Sequence, residues 1–117
     1  MAKTVAKILG VVLLLVGILG FTHILDPLGA HIGPAYASHN LVHVVSGVIA
    51  LYFGFSGTLG GAKTFCIIFG LVYLLLGIVG LGMGELHLGP LMLGKADHGI
   101  HLIAGALFLG GGLFTKL

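Results

Sequence analysis

The sequence predicts an all-α membrane protein: a four-transmembrane-helix bundle made of two duplicated helical hairpins related in parallel. Three observations lead there. Of 117 residues, 58% are hydrophobic and only 7% charged, with a mean hydropathy of +1.24, whereas about a quarter of a soluble globular chain is charged. The few charges delimit long apolar runs: 18 residues between Lys7 and Asp26, 21 between Lys63 and Glu85, and 18 between Asp97 and Lys116. The start of the chain also recurs, in register, sixty residues later.

A helix needs roughly 20 residues, and at least about 17, to cross a bilayer core. The first span is expected at Val5–Thr22. Its lysine-flanked apolar core resembles a signal peptide, but the near-copy downstream argues that it is kept as a span. The stretch from Asp26 to Lys63 opens with polar and turn-forming residues (His31, Gly33, Pro34, Ser38, His39, Asn40), so the second span is placed at Asn40–Ser56. A short loop, Gly57–Lys63, leads to a third span at Thr64–Met83. A second outer loop carrying Glu85, His87 and Gly89-Pro90 precedes the fourth, at His98–Thr115. Backbone groups in hydrocarbon must bond within their own segment, which selects helices. The alternation of a membrane barrel is missing. Asp97 is expected as N-cap of the fourth helix, and Ser38 or Asn40 of the second.

Lys3, Lys7, Lys63 and Lys116 fall on one side of this arrangement and Lys95 on the other. The positive-inside rule then makes both termini cytoplasmic. The expected location is a bacterial inner (cytoplasmic or equivalent) membrane, crossed several times. Nucleic-acid binding and soluble catalysis are excluded by this composition. One domain, residues 1–117, accounts for the length, and Cys66, being single, allows no internal disulfide.

The repeat divides the domain near residue 58. Ala2-Lys3-Thr4 returns as Ala62-Lys63-Thr64, Gly10 as Gly70, and Gly17-Ile18-x-Gly20 as Gly77-Ile78-x-Gly80. The second spans match at an offset of 58: His43 on His101, Gly47 on Gly105, Leu51 on Leu109. Two crossings per repeat give both halves one orientation, with the symmetry axis along the membrane normal. Glycines at helical spacing in every span read as packing seams, where small residues let backbones approach. Gly110-Gly111-Gly112 either weakens the last helix or admits a close neighbour.

All seven histidines map to the outer loops or the outer ends of the spans. His39 and His43 share a helix face, as do Asp97 and His101, and His98 lies three before His101. His43 and His101 occupy equivalent positions of equivalent helices, about one turn inside their spans. Ionisable groups within a membrane usually face the bundle interior. If these two rings meet across the internal axis, they form a pair of axial ligands suited to haem b. With His39, Asp97 and His98 added, the donors suit a Zn²⁺ or Cu²⁺ site, in which Asp97 can orient a ligating ring. Set against this, boundary histidines also hydrogen-bond across helices with no ligand at all. His23, His31 and His87 are wetter loop residues. Tyr36, Tyr52 and Tyr73 are too few for an aromatic belt, and Cys66 reads as apolar filler.

The motifs Val16-Gly17-Ile18-x-Gly20-Phe21, His39-Asn40-Leu41-Val42-His43, Leu71-x-Tyr73-Leu74-x-Leu76-Gly77 and Asp97-x-x-x-His101-Leu102 together resemble a known family. It consists of small four-helix bacterial membrane proteins, common in cyanobacteria and actinobacteria, known only as a domain of unknown function. The likeness runs from about Ile8 to Leu113 and touches Asn40, His43, Asp97 and His101; His98 stands where the family pattern has an asparagine. The resemblance implies the architecture and supplies no activity.

An enzyme is not expected. The sequence holds no His-Glu-x-x-His and no Gly-x-Ser-x-Gly around Ser38, Ser46 or Ser56. Two classes remain. One is a binder of haem b or a transition metal at the outer histidines, with His43 and His101 as its principal ligands. The other is a structural or accessory membrane subunit without a cofactor. Partners expected in either case are the lipid bilayer and further copies of the chain, or a larger membrane complex. Transport is disfavoured, because the spans are unbroken.

Overall fold

The structure, a computed structural model, describes residues 1–24, 37–83, 86–88, 91–93 and 95–116, with backbone alone at 86–88, 91–93, 95 and 96. Four helices make up the body: α1 (Ala2–Leu19), α2 (Ala37–Phe55), α3 (Leu59–Met83) and α4 (Lys95–Leu113). Between α3 and α4 lies a two-stranded antiparallel ribbon, β1 (Leu86–Leu88) and β2 (Leu91–Leu93), with Leu86 opposite Leu93 and Leu88 opposite Leu91. The ribbon was not expected from sequence; its strands are three residues each, too short for a period to register. Helices α1, α2 and α3 are long and apolar enough to cross a membrane. The 19-residue α4 carries Lys95, Asp97, His98 and His101 within its first two turns.

Boundaries move where local hydrogen bonding overrides hydropathy. The expected loop Gly57–Lys63 shrinks, because Thr58 starts α3 five residues early. Its hydroxyl accepts from Gly61 N at 3.0 Å and its carbonyl from Ala62 N at 2.9 Å, the arrangement of a threonine N-cap. Asp97 is not the cap of α4. It lies inside the first turn, where a carboxylate still complements the helix dipole. Asn40 and Ser38 are likewise inside α2, which begins at Ala37. The Gly33-Pro34 turn, Asp26 and Glu85 lie outside the described residues.

Helix α1 packs mainly along α2, and α3 mainly along α4. The contacts run through glycine. A β-carbon on Gly47 would stand 2.6 Å from the Leu14 nitrogen and 2.9 Å from the Gly10 carbonyl oxygen. One on Gly105 would stand 2.5 Å from the Leu74 nitrogen and 3.0 Å from the Gly70 oxygen. Leu14 and Leu74 are related by the offset of sixty, and Gly10 and Gly70 likewise. Gly17 and Gly77 repeat the pattern against the carbonyls of Asn40 and His98, each at 2.9 Å. These helices touch backbone to backbone, and any side chain at these points forces them apart.

The lysine end is tied by polar bonds. Ala2 N donates to Thr115 Oγ1 at 2.7 Å, and Lys63 Nζ donates to the carbonyls of Gly112 and Thr115 at 2.9 and 2.5 Å. A lysine placed there satisfies terminal carbonyls of α4 and its negative dipole end. The glycine run at 110–112 finds its neighbours inside the chain. Gly111 receives Val5 of α1 and Gly112 receives Ile67 of α3, whereas a β-carbon on Gly110 would meet nothing within 4 Å. Large side chains such as Leu15, Val45, Leu75 and Ile103 stand more than half exposed on the outer faces.

Gly47→Ala and Gly105→Ala should each destabilise the bundle by about 1–3 kcal/mol, the range for overpacking a tight contact. Gly110→Ala should change stability by less than about 0.5 kcal/mol. Thermal unfolding of the purified variants in mild detergent measures both.

Candidate metal centre

The inward stripe of α2 contains His39, Asn40, His43, Ser46, Gly47, Ala50 and Gly54, at the three- and four-residue steps of one helix face. Leu41 and Val45 occupy the exposed side. On α4 the same logic buries Asp97, His98, His101, Gly105 and Phe108 and leaves Ile100, Ile103 and Leu107 outside. Each second helix therefore directs its histidines inward for the same reason that it directs its glycines inward.

Three imidazoles converge at this end. His39, His43 and His101 are 4%, 6% and 3% exposed, and each offers a ring nitrogen within 4.8 Å of those of the other two. The His39 and His43 ring centroids are 4.2 Å apart, tilted by 48°; His39 and His101 meet edge-on at 6.0 Å. One turn of α2 supplies two members, and α4 supplies the third across the bundle. Nδ1 of His43 and Nδ1 of His101 are buried with no hydrogen-bond partner among the described residues. Leaving a buried polar atom unpaired costs about 1–3 kcal/mol, a cost that a ligand on these two nitrogens would remove.

The floor of the site is aromatic. Tyr73 of α3 stacks on His101 at 5.4 Å and on Phe108 at 6.1 Å, with interplanar angles of 24° and 14°. Its hydroxyl hydrogen-bonds to Ser46 of α2. Phe69 and Phe65 continue the packed rings away from the histidines, at centroid steps of 5.9 and 4.3 Å. Apolar walls on that side exclude water and raise the worth of any charge or dipole within.

The other expected ligands divide. Asp97 is 2% exposed and close enough to act electrostatically on both His43 and His101. Among the described residues it does not hydrogen-bond Nδ1 of either ring. His98 is fully buried but turned toward α3, its ring seated against Gly80 where no β-carbon fits. His98 is not among the three histidines whose ring nitrogens converge. His23 is exposed in the turn after α1. His87 is seen as backbone in β1, and His31 lies outside the described residues.

Sequence reasoning set Tyr73 and Ser46 aside, the first as a weak belt residue and the second as a failed nucleophile. The signal for Tyr73 was present: Gly70, Tyr73, Gly77 and Gly80 recur at three- and four-residue steps, the inward face of α3. His39, expected to support His43 and His101, stands as their equal in the cluster.

A family model matches residues 3–114, described as a domain of unknown function (DUF4383). No match was found among curated proteins or among solved structures. The match spans nearly the whole chain, all four helices and the three converging histidines, and the protein belongs to the DUF4383 family.

Proposed function

We propose that this protein binds a divalent transition metal ion, Zn²⁺ or Cu²⁺, through His39, His43 and His101 at one end of a four-span membrane bundle. The convergence of three buried imidazoles, two with no hydrogen-bond partner at Nδ1 among the described residues, carries the reading. Imidazole suits both ions, and three protein nitrogens are a common zinc donor set. Haem b fits less well. Bis-histidine ligation sets two rings on opposite faces of a flat macrocycle, whereas here His39 lies 4.2 Å from His43 and within the same donor group as His101. A small ion needs no such gap.

The bundle is read as crossing the membrane four times, with its lysine end cytoplasmic by the positive-inside rule and its metal end on the other side. The apolar exposed faces of all four helices support insertion. Duplication of an ancestral hairpin is favoured by the matched glycine contacts of Gly47 and Gly105 with Leu14 and Leu74. Self-association remains part of the proposal, with Gly110 offering an open glycine on α4. The protein is read as a binder and not an enzyme, since the sequence pairs these histidines with no recognisable nucleophile or general acid.

Purified protein in detergent should bind Zn²⁺ or Cu²⁺ at one ion per chain, measured by titration calorimetry and elemental analysis. At a free metal concentration of 100 times Kd, linkage gives about 2.7 kcal/mol of added stability, visible as a raised Tm. His43→Ala or His101→Ala should remove both effects, and His23→Ala should remove neither. Binding should weaken in acid, because protons compete for the ring nitrogens. Absence of stoichiometric metal, together with a Tm indifferent to it, would contradict the reading and favour a cofactor-free structural subunit.

A further inference from the structure

The three-histidine set has a counterpart in the internal repeat. At the offset of 58 that relates α2 to α4, His43 maps to His101 and His39 maps to Asp97. Both pairs are four residues apart and face inward, one turn above the glycines that dock their helices, Gly47 and Gly105. All four side chains are buried, at 4% for His39, 6% for His43, 2% for Asp97 and 3% for His101. The repeat thus gives α2 and α4 corresponding donor pairs, identical except that one histidine is replaced by a carboxylate, which stands outside the three donors that already lie within 4.8 Å of one another. The remaining candidate, His98, lies against Gly80, outside the converging set.

A carboxylate is an anionic oxygen donor, the group that offsets a divalent ion's charge where imidazoles alone cannot. Asp97 already acts electrostatically on His43 and His101. Three neutral imidazoles leave a divalent ion with its full charge and one tetrahedral position to fill. We infer that Asp97 is the fourth ligand, its side chain moving in as the ion takes up the three nitrogens, so that the centre is a closed His₃Asp site selective for divalent ions. The inference rests on the reading of the triad as a metal site. Four protein ligands leave no open position, which marks a site that holds its ion rather than one that activates water.

Cobalt reports coordination number directly, because four-coordinate Co²⁺ absorbs visible light far more strongly than six-coordinate Co²⁺. The unaltered protein in detergent, titrated with Co²⁺, should give the intense four-coordinate bands. Asp97→Asn, which keeps shape and removes charge, should lose more than about tenfold in Co²⁺ and Zn²⁺ affinity and give only weak bands. Its affinity for the monovalent ion Ag⁺ should change much less. Asp97→His, which makes the two repeats identical, should restore the four-coordinate spectrum. An Asp97→Asn protein with unaltered affinity and spectrum overturns this inference and leaves the triad standing. An unaltered protein that takes up neither Co²⁺ nor Zn²⁺ overturns both.

Infrared difference spectra of the unaltered protein need no variant to fold. With only three Asp and Glu residues in the chain, a metal-induced shift in a buried carboxylate stretch supports Asp97 ligation, and no carboxylate change on metal loading overturns it.

Discussion

Backbone contact between paired helices is the constraint on which everything else depends. At Gly47 and Gly105 a second helix lies against the main chain of its hairpin partner, within 2.6 and 2.5 Å of where a β-carbon would be. His43 and His101 each sit one turn away from these contacts, on the same helix face. The glycine seams thus hold each second helix on its hairpin partner with its histidine face turned inward, and they contribute no donor atom. Where helix contacts compete with equally apolar lipid, such close packing replaces the hydrophobic force that assembles a soluble core.

The buried polar residues other than Thr115 collect toward the histidine end, and the aromatic ones fill the space behind them. Tyr73 joins the two zones, with its ring stacked between His101 and Phe108 and its hydroxyl bonded to Ser46. At the other end, Thr115 and Lys63 close the bundle by bonding Ala2 and the end of α4. One end is fastened by satisfied hydrogen bonds; the other buries ring nitrogens that have no hydrogen-bond partner within the described structure. That difference separates the structural end from the candidate functional end.

Much of this was legible in the sequence because charge spacing and glycine period are one-dimensional signals. The four helices follow from where the charges fall, and the inward face of α2 follows from the helical spacing of His39, His43, Gly47 and Gly54. Helix ends were less legible: Thr58 begins α3 through a side-chain cap, a local bond that hydropathy does not register. The ribbon of β1 and β2 gave no periodic signal over three residues per strand. At the site, the pairing of His43 with His101 was visible through the repeat, but the roles of His39 and His98 were not. Both are histidines near the start of a helix; only three-dimensional packing turns one toward the cluster and the other into the notch at Gly80.

The central claim, that three imidazoles from α2 and α4 hold one transition-metal ion, is tested most directly by locating the ion. Crystals of the protein grown with Zn²⁺ and measured across the zinc absorption edge should give a single strong anomalous peak per chain. That peak should lie about 2.0–2.1 Å from one ring nitrogen of each of His39, His43 and His101. A peak confined to the exposed His23, or no ordered zinc between α2 and α4, would contradict the claim.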